Sequence, residues 1–368
     1  MRNFNNKLNY TNLGLVFVLS LMLVGCQPSN NLNKDEQNSG IKQSKDDLLN
    51  GVSKAICYSG FREGQHPDRG DGAVNPSYEE TLEDLQILAS NSNFSLIRLY
   101  DSGENSQLVL RVIDENNINI KVMLGVWLKA EFSNHEKCWW LNEPIPAEVL
   151  DENRKMNLVE LETGIKLAKK YSNIIVSVAV GNEALVEWND HMVEVETIIS
   201  YVNKVKNEIE QPVTVADNFK WWALDGLSLS KAVDFISIHV YPLWEGQDID
   251  TALAFSIGNI QEVCDSLPEA RIVITEAGWA TLASEFGERA SEEKQKQYFN
   301  ELMAWGEEMN YTIFFFEAFD EPWKGNPDNA LGAEKHWGIF NVDRTPKKVM
   351  QELYPDLMTD EQIKKSKK

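Results

Sequence analysis

Cysteine is scarce in this chain, with 4 among 368 residues, and Cys57, Cys138 and Cys264 stand at irregular intervals. That excludes a disulfide framework and a CxxC metal pattern, and these three are expected as buried free thiols. Histidine is nearly as rare. His66, His135, His191, His239 and His336 show no HExxH or HxH spacing, and His191 with Glu194 at a helix start is too little to make a site. No metal ion and no cofactor is expected. Basic residues are outnumbered 57 to 35 by acidic ones, giving a formal charge of -22. Such a field opposes nucleic acid and anionic lipid but tolerates a neutral ligand such as a sugar. A Gly-rich phosphate loop is also missing, because "YSGFREGQHPDRGDG" after the first strand lacks GxGxxG spacing.

A long apolar run is absent too. "LGLVFVLSLMLVG", preceded by Arg2 and Lys7, is too short to span a bilayer and has the length of a signal h-region. It ends at "LVGC", which resembles a bacterial lipobox with Cys26 as the lipid-bearing residue. Residues 1–25 are thus expected as a lipoprotein signal peptide. The membrane would be met only through that N-terminal anchor, with the protein placed in the cell envelope on an outer-membrane or periplasm-facing site. Residues 26–50 are polar, cannot bury a core and read as a flexible linker. Residues 51–355 form the folded domain, and 356–368 a charged, solvated tail. A monomer is favoured.

What is present from Ala55 onward is an alternation. "AICYSGF", "FSLIRLYD", "IKVMLGVWL", "IIVSVAVGNE", "PVTVADN", "VDFISIHVYP", "RIVITEAGW" and "TIFFFEAF" are β-branched, aromatic and almost continuously apolar, as strands buried on both faces should be. Amphipathic segments separate them. Residues 75–90 carry Pro76 and a Ser77-x-x-Glu80 capping box. Residues 153–171 place Met156, Val159, Ile165 and Leu167 on one stripe. Residues 291–309 open with Ser291 and two acids in the first turn. Eight βα units predict a single-domain (β/α)₈ barrel of the α/β class, with a doubly wound sheet as the alternative.

In such a barrel the chemistry lies where strands meet the loops at their C-terminal ends. Strand 4 ends at Asn182-Glu183 and strand 7 at Glu276; strand 2 ends at Tyr100-Asp101 and strand 6 at Tyr241. Two glutamates across one mouth can cleave an acetal, one as acid at the leaving oxygen and one as anion at the anomeric carbon. Two like charges at short range also push their pKa values apart. Of 11 tryptophans, only Trp305 is read as helical. The others, Trp127, Trp139, Trp140, Trp188, Trp221, Trp222, Trp244, Trp279, Trp323 and Trp337, fall at strand ends or in the following loops, where indoles can stack on sugar faces. Asp101, Trp221, Trp244 and Trp279 are accordingly expected to contact substrate.

"IRLYD", "IKVMLGV", "VAVGNEALV", "VITEAGWA", "FEAFDEPWKG" and "KHWGIF", in this order along the chain, resemble glycoside hydrolase family 17, the β-1,3-glucanases of the retaining clan A. The likeness runs from Ala55 to Leu353. It implies Glu183 as acid/base, Glu276 as nucleophile and Asn182 as partner of the sugar 2-hydroxyl. Tyr58, Tyr100, Tyr241, Glu321 and Lys324 match positions that line the family's cleft. The expected partner is a β-glucan, cleaved internally, with transglycosylation or exo-action as alternatives. A glucan-binding lipoprotein without activity would be marked by loss of Glu183 or Glu276, and both are present. The loops after strands 1 and 3 are longer than in compact plant members and would wall one end of the groove.

Overall fold

The computed structural model describes residues 41–46, 48–51, 54–68 and 72–366. The signal segment, Cys26 and most of the polar stretch after it lie outside the described residues. Eight parallel strands close in sequence order, β1 (Lys54–Cys57), β2 (Leu96–Arg98), β3 (Lys121–Val126), β4 (Ile175–Asn182), β5 (Val213–Asn218), β6 (Ile236–Val240), β7 (Ile272–Gly278) and β8 (Ile313–Phe316). Closure is made by β1, which pairs with β2 through Ile56 and Ile97 and with β8 through Ala55 and Phe314. Seven strands lie inside their expected segments and β1 starts one residue early, at Lys54; the doubly wound alternative is excluded by the closed order.

The outer layer contains α1 (Tyr78–Ala89), α2 (Glu104–Asn116), α3 (Ala147–Lys170), α4 (Val195–Lys206), α5 (Phe219–Asp225), α6 (Leu227–Ser230), α7 (Ile249–Ser266) and α8 (Glu292–Met309). The capping box forms as read: the Ser77 side chain accepts from the Glu80 amide, and Glu80 reaches back to the Ser77 amide. Ser291 likewise caps α8 through the Lys294 amide. The stripe expected on α3 is only half right. Ile165 and Leu167 are buried, but Met156 and Val159 are exposed, and Asn157, Leu161, Gly164 and Ala168 complete the inward face. The helix starts earlier than expected, and only its second half lies flat on the barrel.

The polar linker is shorter than expected. Ile41 and Leu49 are each 2% exposed. The Tyr311 hydroxyl donates to the Ile41 carbonyl at 2.8 Å, and the Gln43 side chain both donates to and accepts from the Ile272 backbone. Gln43 thereby satisfies the entry of β7, which a solvated chain could not do. At the other end, residues 360–366 form a short helix, α9 (Asp360–Ser366), without buried residues. Among the described residues Cys57 and Cys138 are free and buried, and Cys264 is free and half-buried. No described helix is long and apolar enough to cross a membrane.

Regular pairing breaks where function is expected. Register shifts fall between Ala179 and Asn182 on β4, between Ile238 and His239 on β6, and between Ile274 and Ala277 on β7. Such bulges turn a side chain that the regular pleat would aim elsewhere.

Candidate active site

Gly181 has φ +90° and Glu183 φ +46°. Glycine takes the first conformation freely, whereas an L-residue in the left-handed region carries about 1–2 kcal/mol. Together with the bulge, the two swing Asn182 and Glu183 over the barrel mouth. Asp217, at the end of β5, accepts the Leu185 amide at 3.0 Å and so fixes the turn just beyond Glu183. Its carboxyl is held far above the ordinary range by burial and by the charge of Glu183.

The carboxylates of Glu183 and Glu276 and a ring nitrogen of His239 lie within 4.8 Å of one another. This is the closeness of a direct-attack pair; a pair that must admit water stands about 6.5–9.5 Å apart. Arg98 Nη1 donates to Glu276 Oε1 at 2.7 Å, and Arg98 Nη2 donates to Asn182 Oδ1. The Tyr241 hydroxyl donates to Glu276 Oε2 at 2.6 Å. Burial by itself would raise the Glu276 carboxyl, but His239, Arg98, the Tyr241 hydroxyl and Lys324 outweigh it and hold it below its ordinary 4.5. Glu276 is therefore an anion at neutral pH.

His239 is fully buried and bridges the pair. Its Nδ1 lies 2.8 Å from Glu183 Oε1 and 3.6 Å from Glu276 Oε2, and its Nε2 faces Arg98 Nη1 at 3.3 Å. Nδ1 thus faces the gap between the glutamates, while Nε2 lies on the Arg98 side. Among the described residues Glu183, His239 and Glu276 are the cluster with donor atoms close enough for a metal ion. Arg98 already supplies a positive charge to Glu276 at 2.7 Å. Acid–base chemistry suits the trio better than coordination.

Other expected contacts divide. Trp244 is 45% exposed at the rim and packs edge-on against Phe286. Trp221 is half-buried and Tyr100 lies under Arg98, 4.6 Å from its guanidinium carbon. Both Trp221 and Trp222 belong to α5, so Trp305 is not the sole helical indole. Other expected contacts are engaged by the fold itself. Tyr58 is buried with its hydroxyl on Asp84 at 3.2 Å. Asp101 accepts from the Gly103 amide and the Ser106 hydroxyl, holding the start of its own helix. Trp279 is completely buried, with its indole N–H on the Arg289 carbonyl. Glu321 is fully buried as well, held by Lys324, Ser59 and Trp323. Lys324 also pairs with Glu317 at 2.8 Å. Burial dominates here: it pushes Glu317 far above the carboxylate range, while Lys324 holds Glu321 below it.

Arg98 and His239 were missed from sequence, and each left a signal. Arg98 interrupts "SLIRLY" and His239 interrupts "FISIHVY", both inside otherwise apolar strands. A charged or ring-nitrogen side chain at such a place must find a buried partner.

The comparisons agree with this architecture. The BtgE/BtgC glycoside hydrolase domain matches residues 55–338. The chain belongs to this family. A glucan 1,3-beta-glucosidase of Arthroderma benhamiae is 25% identical over 80% of this chain and 92% of its own. A probable glucan endo-1,3-beta-glucosidase, btgC, of Aspergillus terreus is 27% identical over 74% of this chain, which spans only 41% of that protein. Among solved structures, an endo-laminarinase from Formosa superposes with a TM-score of 0.70 at 29% identity, covering 85% of this chain and 89% of that one. The resemblance to family 17 drawn from the motifs and the expected barrel both hold.

Proposed function

We propose that this glycoside hydrolase cleaves β-1,3-glucosidic linkages within β-glucan chains by a retaining double displacement. The observation that carries the reading is the approach of Glu183 and Glu276 to within 4.8 Å across the mouth of the barrel. Glu276, anionic and aimed by Arg98 and Tyr241, attacks the anomeric carbon. Glu183 gives its proton to the departing oxygen, the glycosidic C–O bond breaks and a glucosyl ester of Glu276 forms. Water then loses a proton to Glu183, its oxygen bonds to the anomeric carbon, and Glu276 leaves as carboxylate. Asn182, whose Oδ1 is taken by Arg98, presents its amide N–H donors to the sugar 2-hydroxyl.

The likeness to an endo-laminarinase supports internal cutting. A time course on linear β-1,3-glucan tests it: a spread of oligomer lengths is expected, whereas one short product from the outset means exo-action and products longer than the substrate mean transfer. Glu276→Ala should abolish turnover while leaving glucan binding, with the first-formed sugar in the wild type in the β-configuration. Binding without new reducing ends in the wild type would make the protein a glucan-binding module instead. The lipobox supports a lipid-anchored envelope protein; fatty-acid labelling of the wild type that disappears in Cys26→Ser tests that placement.

A further inference from the structure

His191 takes no part in the reaction proposed above, yet its contacts run to the turn that carries the acid/base. Its Nε2 donates to the Asn182 carbonyl at 2.9 Å, since a carbonyl oxygen can only accept. Its Nδ1 lies 3.1 Å from Asp190 Oδ1. The ring rests on the indole of Trp127, with centroids 4.7 Å apart and planes 31° from parallel. The hydrogen bond to His191 holds the Asp190 carboxyl below its ordinary range, and Trp140 bonds the same carboxylate. A carboxylate and an indole thus set the orientation of the ring, and its other nitrogen is delivered to one backbone atom.

That atom belongs to the peptide unit joining Asn182 to Glu183. At the other end of the unit, the Glu183 amide donates to the Ala216 carbonyl at 2.8 Å. In a trans peptide the C=O and N–H point in opposite directions, so the Asn182 carbonyl turns toward β3 as the Glu183 amide turns toward β5. Regular pairing with β3 has ended by then: the last register pair is Val126 with Val180. His191 takes the place of a strand donor there. Holding both ends of a planar unit stops it from rotating. The restraint matters because Glu183 stands at φ +46°, which an L-residue avoids. Half a revolution of the plane would carry Glu183 back to the extended region, and both bonds oppose that rotation.

Building on the function proposed above, we infer that His191 is a positioning residue for the acid/base, a latch that keeps the Asn182–Glu183 peptide from rotating. It acts through Glu183 and Asn182, not on the sugar. Without the latch the turn relaxes, and the two side chains leave their places at the barrel mouth.

Two amide side chains separate the donor from the ring. His191→Gln puts an amide nitrogen near the position of Nε2 and can still donate to the Asn182 carbonyl. His191→Asn puts one near the position of Nδ1 and leaves that carbonyl bare. On linear β-1,3-glucan His191→Asn should lose about 10²-fold in kcat, the loss that follows a shift of about 1 Å at a reacting group. KM and the melting temperature should change little, and His191→Gln should recover most of the activity. An aryl β-laminaribioside with a good leaving group should lose less in kcat/KM than the glucan, because it asks little of the acid. Equal losses in the two variants, a loss confined to KM, or wild-type kcat in His191→Asn overturns the inference. If His191→Asn does not fold, Asp190→Ala decides. The Asp190 side chain is 50% exposed, so its removal spares the fold but frees the ring to turn. Its kcat should fall severalfold, and an unchanged kcat overturns the latch. Failure of the wild type to cut β-1,3-glucan would instead remove the proposed function itself, and with it the reaction this residue serves.

Discussion

Arg98 on β2 holds Glu276 on β7 at 2.7 Å through the barrel interior, and the same guanidinium reaches Asn182. One cation from β2 therefore ties the ends of β4 and β7 into a single arrangement. Both groups are buried, with side chains 1% and 7% exposed, so neither can fall back on water if the other is removed. The carboxylate is poised as an anion because a fixed positive group and a hydroxyl share its charge.

Loss of the hydroxyl has a predictable sign. Tyr241→Phe removes a donor to the charged form of Glu276, so the Glu276 pKa rises toward its ordinary value or above. The acid limb of the kcat/KM profile should move to higher pH, with a drop in kcat of about 10²-fold from the lost donor. The same depressed pKa contributes stability above the unfolded carboxyl's pKa, and that contribution is lost as pH falls through the folded value. A profile unchanged on its acid side would show that Tyr241 does not set the charge of Glu276.

His239 separates orientation from charge. His239→Phe keeps a ring in the core but removes the Nδ1 that hydrogen-bonds Glu183 Oε1 at 2.8 Å. We expect kcat to fall about 10²–10³-fold, as for other single buried hydrogen-bonding groups at a reacting centre. An activated aryl glycoside, which needs little protonation of its leaving group, should lose much less in glycosylation if the damage lies at Glu183.

Gly181→Ala tests the turn. A Cβ there would lie 3.3 Å from Leu128 Cδ1 and would force a side chain onto φ +90°. Stability should drop by about 1–2 kcal/mol, within reach of a retained fold. Turnover should fall far more than stability, since Glu183 is two residues away on the same bulge. Melting curves and kcat measured together give the comparison.

Lys324→Met leaves Glu317 and Glu321 buried without their shared cation. The expected cost is about 3–5 kcal/mol of stability, read as a lowered denaturation midpoint. Because Lys324 helps hold Glu321 below the carboxylate range, the variant should recover part of the loss as pH is lowered and the pair takes up protons.

Residues 41–50 are predicted to be part of the fold. A chain that starts at Gly51 leaves out Ile41 and Leu49, each worth about 1.5–3 kcal/mol of burial, and the Gln43 bonds to β7. It should melt several degrees lower than one that starts at Gly40, with the barrel otherwise intact.

The sequence alone determined the barrel, because parallel strands covered on both faces need continuous apolar runs and the helices between them need one apolar stripe. It also determined the acid pair, since Glu183 and Glu276 fall at the ends of strands 4 and 7, and strand order in a closed barrel places those ends at one mouth. Local hydrogen bonding was legible too, as in the Ser77–Glu80 box. The tertiary structure alone decided which strand-end side chains reach the barrel mouth and which turn into the core. Tyr58 and Trp279 sit at strand ends just as Tyr241 and Trp244 do, yet the first two turn into the core, because the pleat and its bulges set direction and one shifted residue reverses it. Arg98 and His239 lie 141 positions apart and meet only when β2 and β6 face each other across the barrel. Ile41 looked like linker because the partners of this segment, Tyr311 for the Ile41 carbonyl and Ile272 for Gln43, lie more than 200 positions away, which no local pattern records.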